Sequence, residues 1–340
     1  MSRSNKLFKK FFLLVVSCAM ATMVFYWISA DWPVVIDDQN YGILSNLDAS
    51  FVVLEKKCST RTNICFIVMD RINFQTNKAI RHLMIEGSED TVEAAVQLMP
   101  PEGANVSISD TRIWLVDHDN LLMSYTNVMA IAPLLTSSLD LRRRTTQKAK
   151  ILCVGVGAAT IDVFLARSFP SAEVIGVELE PAVVGLAKKW FRVDKQPNYQ
   201  LIIMNGVRYI MQTEEQFDAI IIDACSLSQP LACPSPEFLD EALIEKISLR
   251  VLKDRGTVVV NIMTMQPADK MIANVLRLFK QHFKNCFAIR MEGDNVILMC
   301  SKSDILTHDT TEITNKLNEL IAELHIKMDS AVIERIILNL

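Results

Sequence analysis

The chain has 340 residues, half of them hydrophobic, and a net charge of −4 from 35 Lys and Arg against 39 Asp and Glu. This length and apolar content suit one large domain or a main domain with an appendage. The lack of a basic excess argues against nucleic acid as a partner, and no low-complexity tract or internal repeat points to a fibrous or solenoid chain.

Residues 1–31 form a separate element. Arg3, Lys6, Lys9 and Lys10 precede an uncharged run of 20 residues, Phe11–Ala30. At helical rise that run matches the roughly 30 Å hydrocarbon core of a bilayer. Tyr26 and Trp27 stand where amphipathic rings favour the headgroups, and the far flank is acidic at Asp31, Asp37 and Asp38. The segment is predicted as a transmembrane signal anchor that leaves the rest of the chain in the secretory-pathway lumen or outside the cell. Cleavage after Ile28-Ser29-Ala30, with secretion, is the alternative; the run exceeds the roughly 7–15 apolar residues of a signal peptide.

Residues 32–147 read as a small β-rich domain. Strands are predicted at Ser50–Glu55, Ile64–Met69 and Arg112–Val116, and Cys58 and Cys65 flank the polar turn of a hairpin. Thr91–Leu98 is predicted as a helix ended by Pro100-Pro101, and Leu122–Leu135 has helical periodicity. Asn105-Val106-Ser107 is a glycosylation acceptor triplet, in keeping with an exported body. Arg142-Arg143-Arg144 reads as a solvated junction.

From residue 148 to 304 the rhythm is regular. Strands at Ile151–Val156, Glu173–Leu179, Gln200–Met204, Phe217–Ala224 and Gly256–Met263 alternate with helices ending at Ser168, Phe191, Thr213, Val251 and Phe283. The helix ending at Val251 is predicted to begin at Pro236. Phe287–Met291 and Val296–Cys300 flank a turn and read as a closing antiparallel hairpin. The pattern predicts a doubly wound α/β sheet with right-handed crossovers. Residues 305–340 form a helical tail, Thr311–Lys327 and then Ala331–Leu338, predicted to cap the sheet or to mediate association into a homodimer.

Cys18 lies in the predicted anchor and Cys153 in a core strand. The other six cysteines fall in neighbouring pairs, Cys58/Cys65, Cys225/Cys233 and Cys286/Cys300. Three local disulfides and six ordinary thiols are both open. No Cys-x-x-Cys pair or His cluster stands at ligand spacing, which argues against a structural zinc site.

Ligands of open α/β sheets bind beyond the carboxyl ends of the strands. There the chain places Gly155-Val156-Gly157-Ala158-Ala159, whose small residues permit a tight turn close to a ligand. Glu178 ends the second strand and can accept bonds from two ribose hydroxyls. Asn205-Gly206 ends the third, where a polar side chain can meet an adenine edge. Asp223 ends the fourth after a run of apolar residues, a position where burial without a partner is costly. No Gly-Lys-Ser/Thr phosphate loop is present, which argues against a nucleotide triphosphatase.

The segments ILCVGVGAAT, VIGVELEPAVVGLAKKWF, NGVRYI, FDAIIIDAC, CPSPEF and IRMEGDNVILMC run from Lys150 to about Ser301. In order and spacing they resemble the spermidine-synthase-like branch of the seven-strand S-adenosylmethionine-dependent methyltransferases. Within that branch they are most similar to the C-terminal domain of the elongation-factor N-terminal and lysine methyltransferase family. Ser124-Tyr125-Thr126-Asn127 through Pro133-Leu134 is similar to a stretch of the aminopropyltransferases.

The resemblance implies a Rossmann-like seven-stranded sheet and an S-adenosylmethionine site built from Gly155, Gly157, Ala158, Glu178, Asn205, Gly206 and Asp223. Asp223 would orient or deprotonate the acceptor and Tyr125 would line its pocket. Several residues depart from the family pattern. Ala158 and Ala159 replace glycines, so each added methyl is expected to crowd the cofactor's amino-acid end. Asn205 replaces an Asp. Ser226 and Asn127 replace carboxylates that aminopropyltransferases use for a cationic polyamine, which disfavours aminopropyl transfer. Cys233 and Cys300 match cysteines of cytosolic relatives, so they need not signal oxidation. The expected protein is a membrane-anchored methyltransferase whose acceptor, protein or small molecule, is unread. A catalytically degenerate binding protein is one alternative, and a polyamine aminopropyltransferase, though disfavoured by those replacements, is the other.

Overall fold

Continuous apolar runs in the central strands, Ile151–Val154, Ala219–Ile222 and Val258–Val260, require cover on both faces, and the chain supplies it. The computed structural model describes residues 34–35, 49–87, 92–104, 109–226, 230–264, 269–302, 309–328 and 333–337. The predicted anchor and the Asn105 triplet lie outside the described residues. Among the described residues no helix is long and apolar enough to cross a membrane.

A first sheet runs in the order β1 to β6: Val34–Val35, Ala49–Cys58, Cys65–Asn73, Lys78–Ile85, Val92–Met99 and Leu115–Val116. Only β1 and β2 pair in parallel; the other neighbours are antiparallel. The helix α1, Ser124–Leu135, follows and is buried almost throughout.

The second sheet holds β7 (Lys150–Val154), β8 (Glu173–Glu178), β9 (Tyr199–Ile203), β10 (Phe217–Ile222), β11 (Leu231–Cys233), β12 (Leu252–Thr264), β13 (Asn285–Met291), β14 (Asn295–Ser301) and β15 (Ile333–Ile337). Its order is β15-β13-β14-β12-β10-β7-β8-β9, with β11 paired to β12. Strands β12, β10, β7, β8 and β9 are mutually parallel, and β13 and β14 form the antiparallel hairpin. The helices are α2 (Thr160–Ser168), α3 (Pro181–Trp190), α4 (Gly206–Gln212), α5 (Glu241–Lys246), α6 (Asp269–Lys280) and α7 (Thr310–Glu323).

Alternate residues of the strands enter opposite cores. Leu152, Val154, Ile220, Ile222, Val258 and Val260 pack with Leu243, Ile244 and Phe279 on one face. Ile151, Cys153, Ala219, Ile221 and Val259 pack with α1, α2 and α7 on the other. The tail helix therefore caps the sheet. Lys316 on α7 also donates to Leu135 O at 2.9 Å, satisfying a carbonyl at the end of α1. A third core joins the first sheet, through Val68, Leu83 and Val96, to Val183, Leu186 and Ala187 of α3.

A buried ion pair pins that junction. The Arg81 guanidinium donates to both oxygens of Asp70 at 2.8 Å, to Trp190 O at 2.8 Å and to Thr111 O at 3.1 Å. Its bidentate geometry and extra acceptors compensate the loss of water.

Two predicted helices are strands. Residues 92–99 form β5, because Ala94, Val96 and Leu98 enter the third core with a period of two and β4 supplies the ladder bonds; tertiary pairing overrides the helical bias of a short Ala-containing segment. Within the predicted helix Ala331–Leu338, residues 333–337 pair antiparallel with β13 as β15, in keeping with the β-branched Ile333, Ile336 and Ile337. With β11 it raises the predicted seven strands to nine among the described residues. The predicted strand Arg112–Val116 is a 3-10 turn, Thr111–Ile113, followed by the short β6. The predicted helix Pro236–Val251 is broken at Asp240, whose side chain caps α5 by accepting from Leu243 N at 3.0 Å. The arginine run is exposed at a 3-10 turn, Leu141–Arg143, as a solvated junction should be.

All three cysteine pairs are disulfides, and Cys153 is free and buried. Cys58 opposes Cys65 in the β2–β3 ladder, and Cys286 opposes Cys300 in the β13–β14 ladder.

Candidate functional site

The order of the parallel strands reverses between β7 and β10, and the exits of β7, β8, β9 and β10 share one edge of the sheet. That reversal is where open α/β sheets form a crevice. The turn after β7 is shaped by close approach. Gly155 has φ of 81°, and a Cβ there would lie 2.6 Å from backbone atoms of Asp223 and Ala224. A Cβ at Gly157 would meet nothing within 4 Å, so this part of the turn is open to a ligand.

Ala159 holds a left-handed φ of 55° as the first cap of α2, a conformation that costs a residue with a Cβ about 1–2 kcal/mol. Ala158 and Ala159 are fully buried and belong to the core under the first sheet. Their methyls pack there, so the expected crowding by these two residues is replaced by a packing role.

Glu178 ends β8 and closes onto the turn. Its Oε2 accepts from Val156 N at 3.0 Å and Gly157 N at 3.2 Å, and its Oε1 from Glu180 N at 2.9 Å. Burial raises its pKa, and the backbone donors oppose that rise. Glu180 stands at the start of α3 but makes no side-chain capping bond. Next to Glu178, Leu179 is exposed, as is Ile203 at the end of β9.

Asn205 caps α4, its Oδ1 accepting from Arg208 N at 2.9 Å. That oxygen is committed to the helix start, so the amide nitrogen is the better-placed group for a ligand. Gly206 serves packing, since a Cβ would lie 2.2 Å from Val154 Cγ1.

Asp223 lies just beyond β10 and is half-buried. Its Oδ1 accepts from Asn261 Nδ2 at 2.7 Å, and Asn261 in turn accepts from Asn295 Nδ2 at 2.8 Å. The Tyr125 hydroxyl, carried by the first turn of α1, also hydrogen-bonds to Asp223. Burial pushes the Asp223 carboxyl up to about 7, with Glu93 adding to the rise and the Asn261 and Tyr125 bonds opposing it. The pKa of Tyr125 is raised by burial and then by Asp223 and Glu93. Asn127 does not join them: its amide nitrogen turns back to Leu121 O and Met123 O, both at 3.1 Å.

Glu93, Asn261 and Asn295 were not among the predicted site residues. Glu93 sits on β5, and its pKa is raised by burial and then by Glu178. The first sheet thus contributes a carboxylate to the site. Asn261 did leave a signal, a lone amide inside Val258-Val259-Val260-Asn261-Ile262, where burial demands a partner. Behind the site, Asp162 on α2 is buried and accepts from the Tyr199 hydroxyl at 3.0 Å. Burial pushes it up to about 7, against the Tyr199 bond.

Parallel strands with a switch point, closed by an antiparallel hairpin and carrying a glycine turn and an acidic second strand end, make this a Rossmann-like methyltransferase fold. Solved structures share that fold. Human methyltransferase-like protein 13, solved in complex with SAH, superposes with a TM-score of 0.54 at 22% identity, covering 61% of this chain and 95% of that one. A probable spermidine synthase from Corynebacterium glutamicum gives a TM-score of 0.59 at 18% identity, covering 79% and 86%. The spermine/spermidine synthase domain model matches residues 122–303, more than half the chain, and the chain belongs to that family.

Among curated relatives, the eEF1A lysine and N-terminal methyltransferase of Danio rerio is 28% identical over 195 residues, which cover 55% of this chain and 28% of that protein. The Homo sapiens protein of the same name is 26% identical over 159 residues, covering 44% and 22%. The chain therefore spans less than a third of the length of these two relatives.

Proposed function

We propose that this chain is an S-adenosylmethionine-dependent methyltransferase acting on an amine nucleophile of a protein or small molecule. The observation that carries the reading is the convergence, at one sheet edge, of Glu178 closed on the glycine turn with Asp223 held by Tyr125 and Asn261. Glu178 would take the ribose hydroxyls, competing for its longest bond, the one from Gly157 N. Leu179 and Ile203 offer apolar surface for the adenine, and the Asn205 amide a donor to its edge. When bound, the cofactor supplies an activated methyl group on a sulfonium. The protein's own part is positioning and proton handling. Asp223, with its carboxyl near 7, is suited to accept the acceptor's proton, and Tyr125 and Asn261 fix its orientation.

The amine is suggested by the names of the curated relatives and by the acidic surroundings of Asp223. Transfer of labelled methyl to model amines tests the reading, and Asp223→Asn should lower turnover by roughly 10²–10⁴-fold. Equal turnover by Asp223→Asn would remove Asp223 from the reaction.

Aminopropyl transfer is a second reading, favoured by one observation. Glu93 brings a carboxylate to the Asp223–Tyr125 cluster, where Ser226 and Asn127 bring none. Turnover with decarboxylated cofactor and putrescine is its test.

We also propose that the body is exported, anchored by Phe11–Ala30. The basic flank and apolar length of that run support this, as do three disulfides, which persist in oxidising compartments. A glycosidase-sensitive mass shift that is lost in Asn105→Gln is the expected result.

A further inference from the structure

Cys225 follows Asp223 by two residues, and the chain returns through β11 to bring Cys233 against it. Backbone bonds fix this return: Ser226 N donates to Ala232 O at 2.8 Å, and Ser235 N to Ala224 O at 2.7 Å. β11 is paired in addition with the end of β12. The frame that presents the two sulfurs is therefore held by hydrogen bonds as well as by the S–S link. Cys225 is exposed and Cys233 is buried. Cys225 Sγ stands 3.9 Å from Asp223 Oδ1, and one carboxylate oxygen and both sulfurs lie within 4.8 Å of one another. Among the described residues no other group of three such side chains meets that spacing.

We infer that Asp223, Cys225 and Cys233 form a redox-gated site for a thiophilic divalent cation of the zinc type, closed while the sulfurs are joined and open once they are reduced. Two thiolates, a carboxylate and a water make a tetrahedral set suited to such an ion. Metal–sulfur and metal–oxygen bonds of about 2.3 and 2.0 Å place sulfur and oxygen ligands ~3.5 Å apart and two sulfurs ~3.8 Å apart. The Asp223–Cys225 separation is already near that value. The sulfurs need to part by less than ~2 Å, within reach of a side-chain rotation at exposed Cys225.

A dithiol reductant opens the site in balanced steps. Its thiolate attacks Cys225 Sγ and Cys233 Sγ leaves as thiolate; the reagent's second thiol then releases Cys225 and ends as a cyclic disulfide. Two electrons pass to the protein, and the cation displaces the thiol protons on binding. A cation seated there takes Asp223 as a ligand and withdraws that carboxylate from Tyr125 and from any acceptor. The inference does not depend on S-adenosylmethionine binding.

The test is an anaerobic titration of the full chain with cobalt(II), oxidised or reduced by a phosphine that is then removed. Thiolate-to-cobalt charge-transfer absorption reports sulfur ligation. The reduced chain should gain this absorption to one equivalent that the oxidised chain lacks. Cys225→Ser should abolish it, Asp223→Asn should weaken cobalt binding about 10–100-fold, and Cys58→Ser should leave it intact. Four results overturn the inference: no absorption in the reduced chain, undiminished absorption in Cys225→Ser, a Cys225 thiol that no phosphine exposes to mass tagging, or loss of the folded circular dichroism on reduction.

Discussion

Asp223 and Asp162 are both pushed up to about 7 by burial, but they predict different measurements. Asp223 reaches the sheet edge, so its ionisation should appear in catalysis. Methyl transfer should rise with pH through about 7, and the Asp223→Asn residual should lack that step. Asp162 is sealed behind the site, so its ionisation should appear in stability. The unfolded carboxyl ionises near 3.8, while the folded one keeps its proton to about 7. The native state thus binds the extra proton between those values. Its stabilising contribution is complete below about pH 4, falls as pH rises to about 7 and is then exhausted. Urea unfolding from about pH 4 to 8 should show this decline, with a smaller slope in Asp162→Asn; an unchanged slope would remove Asp162 as its source. Ala159→Gly weighs two terms. Relief of the left-handed conformation returns about 1 kcal/mol, and loss of a buried methyl costs ~0.8 kcal/mol. The net change in unfolding free energy should stay under ~1 kcal/mol.

The strand–turn–helix after β7 is the element on which the site depends. Gly155→Ala would drive a Cβ into the Asp223–Ala224 backbone at a positive φ. A loss of more than ~2 kcal/mol in denaturant unfolding is expected. This element was legible because its apolar strand, small-residue turn and acidic second strand end occur in order. So were β8, β10 and the β13–β14 hairpin. The segment at 92–99 suits either period because of its short Ala-Ala-Val run, and only pairing with β4 makes it a strand. Asn205 follows β9 at the strand end that the sequence indicates, but its oxygen caps α4, which spacing alone does not reveal. Glu93 left no local signal, because it reaches the cluster from another sheet.

At the scale of the molecule, the first sheet is fastened to α3 by the Arg81–Asp70 pair and its bond to Trp190. Arg81→Met would leave Asp70 buried and unpaired and should cost about 3–5 kcal/mol. The double variant Arg81→Met with Asp70→Leu should recover much of that loss, since removing both charges avoids the unpaired one. The fastening matters for function because Glu93 rides on the same sheet. In the proposed function, the crevice between Glu178 and Asp223 holds S-adenosylmethionine. Calorimetric titration of the folded full chain with S-adenosylmethionine tests it most directly. Saturable binding of one equivalent, lost in a folded Glu178→Ala variant, is the expected result; no saturable binding by the wild-type chain would contradict the proposed function.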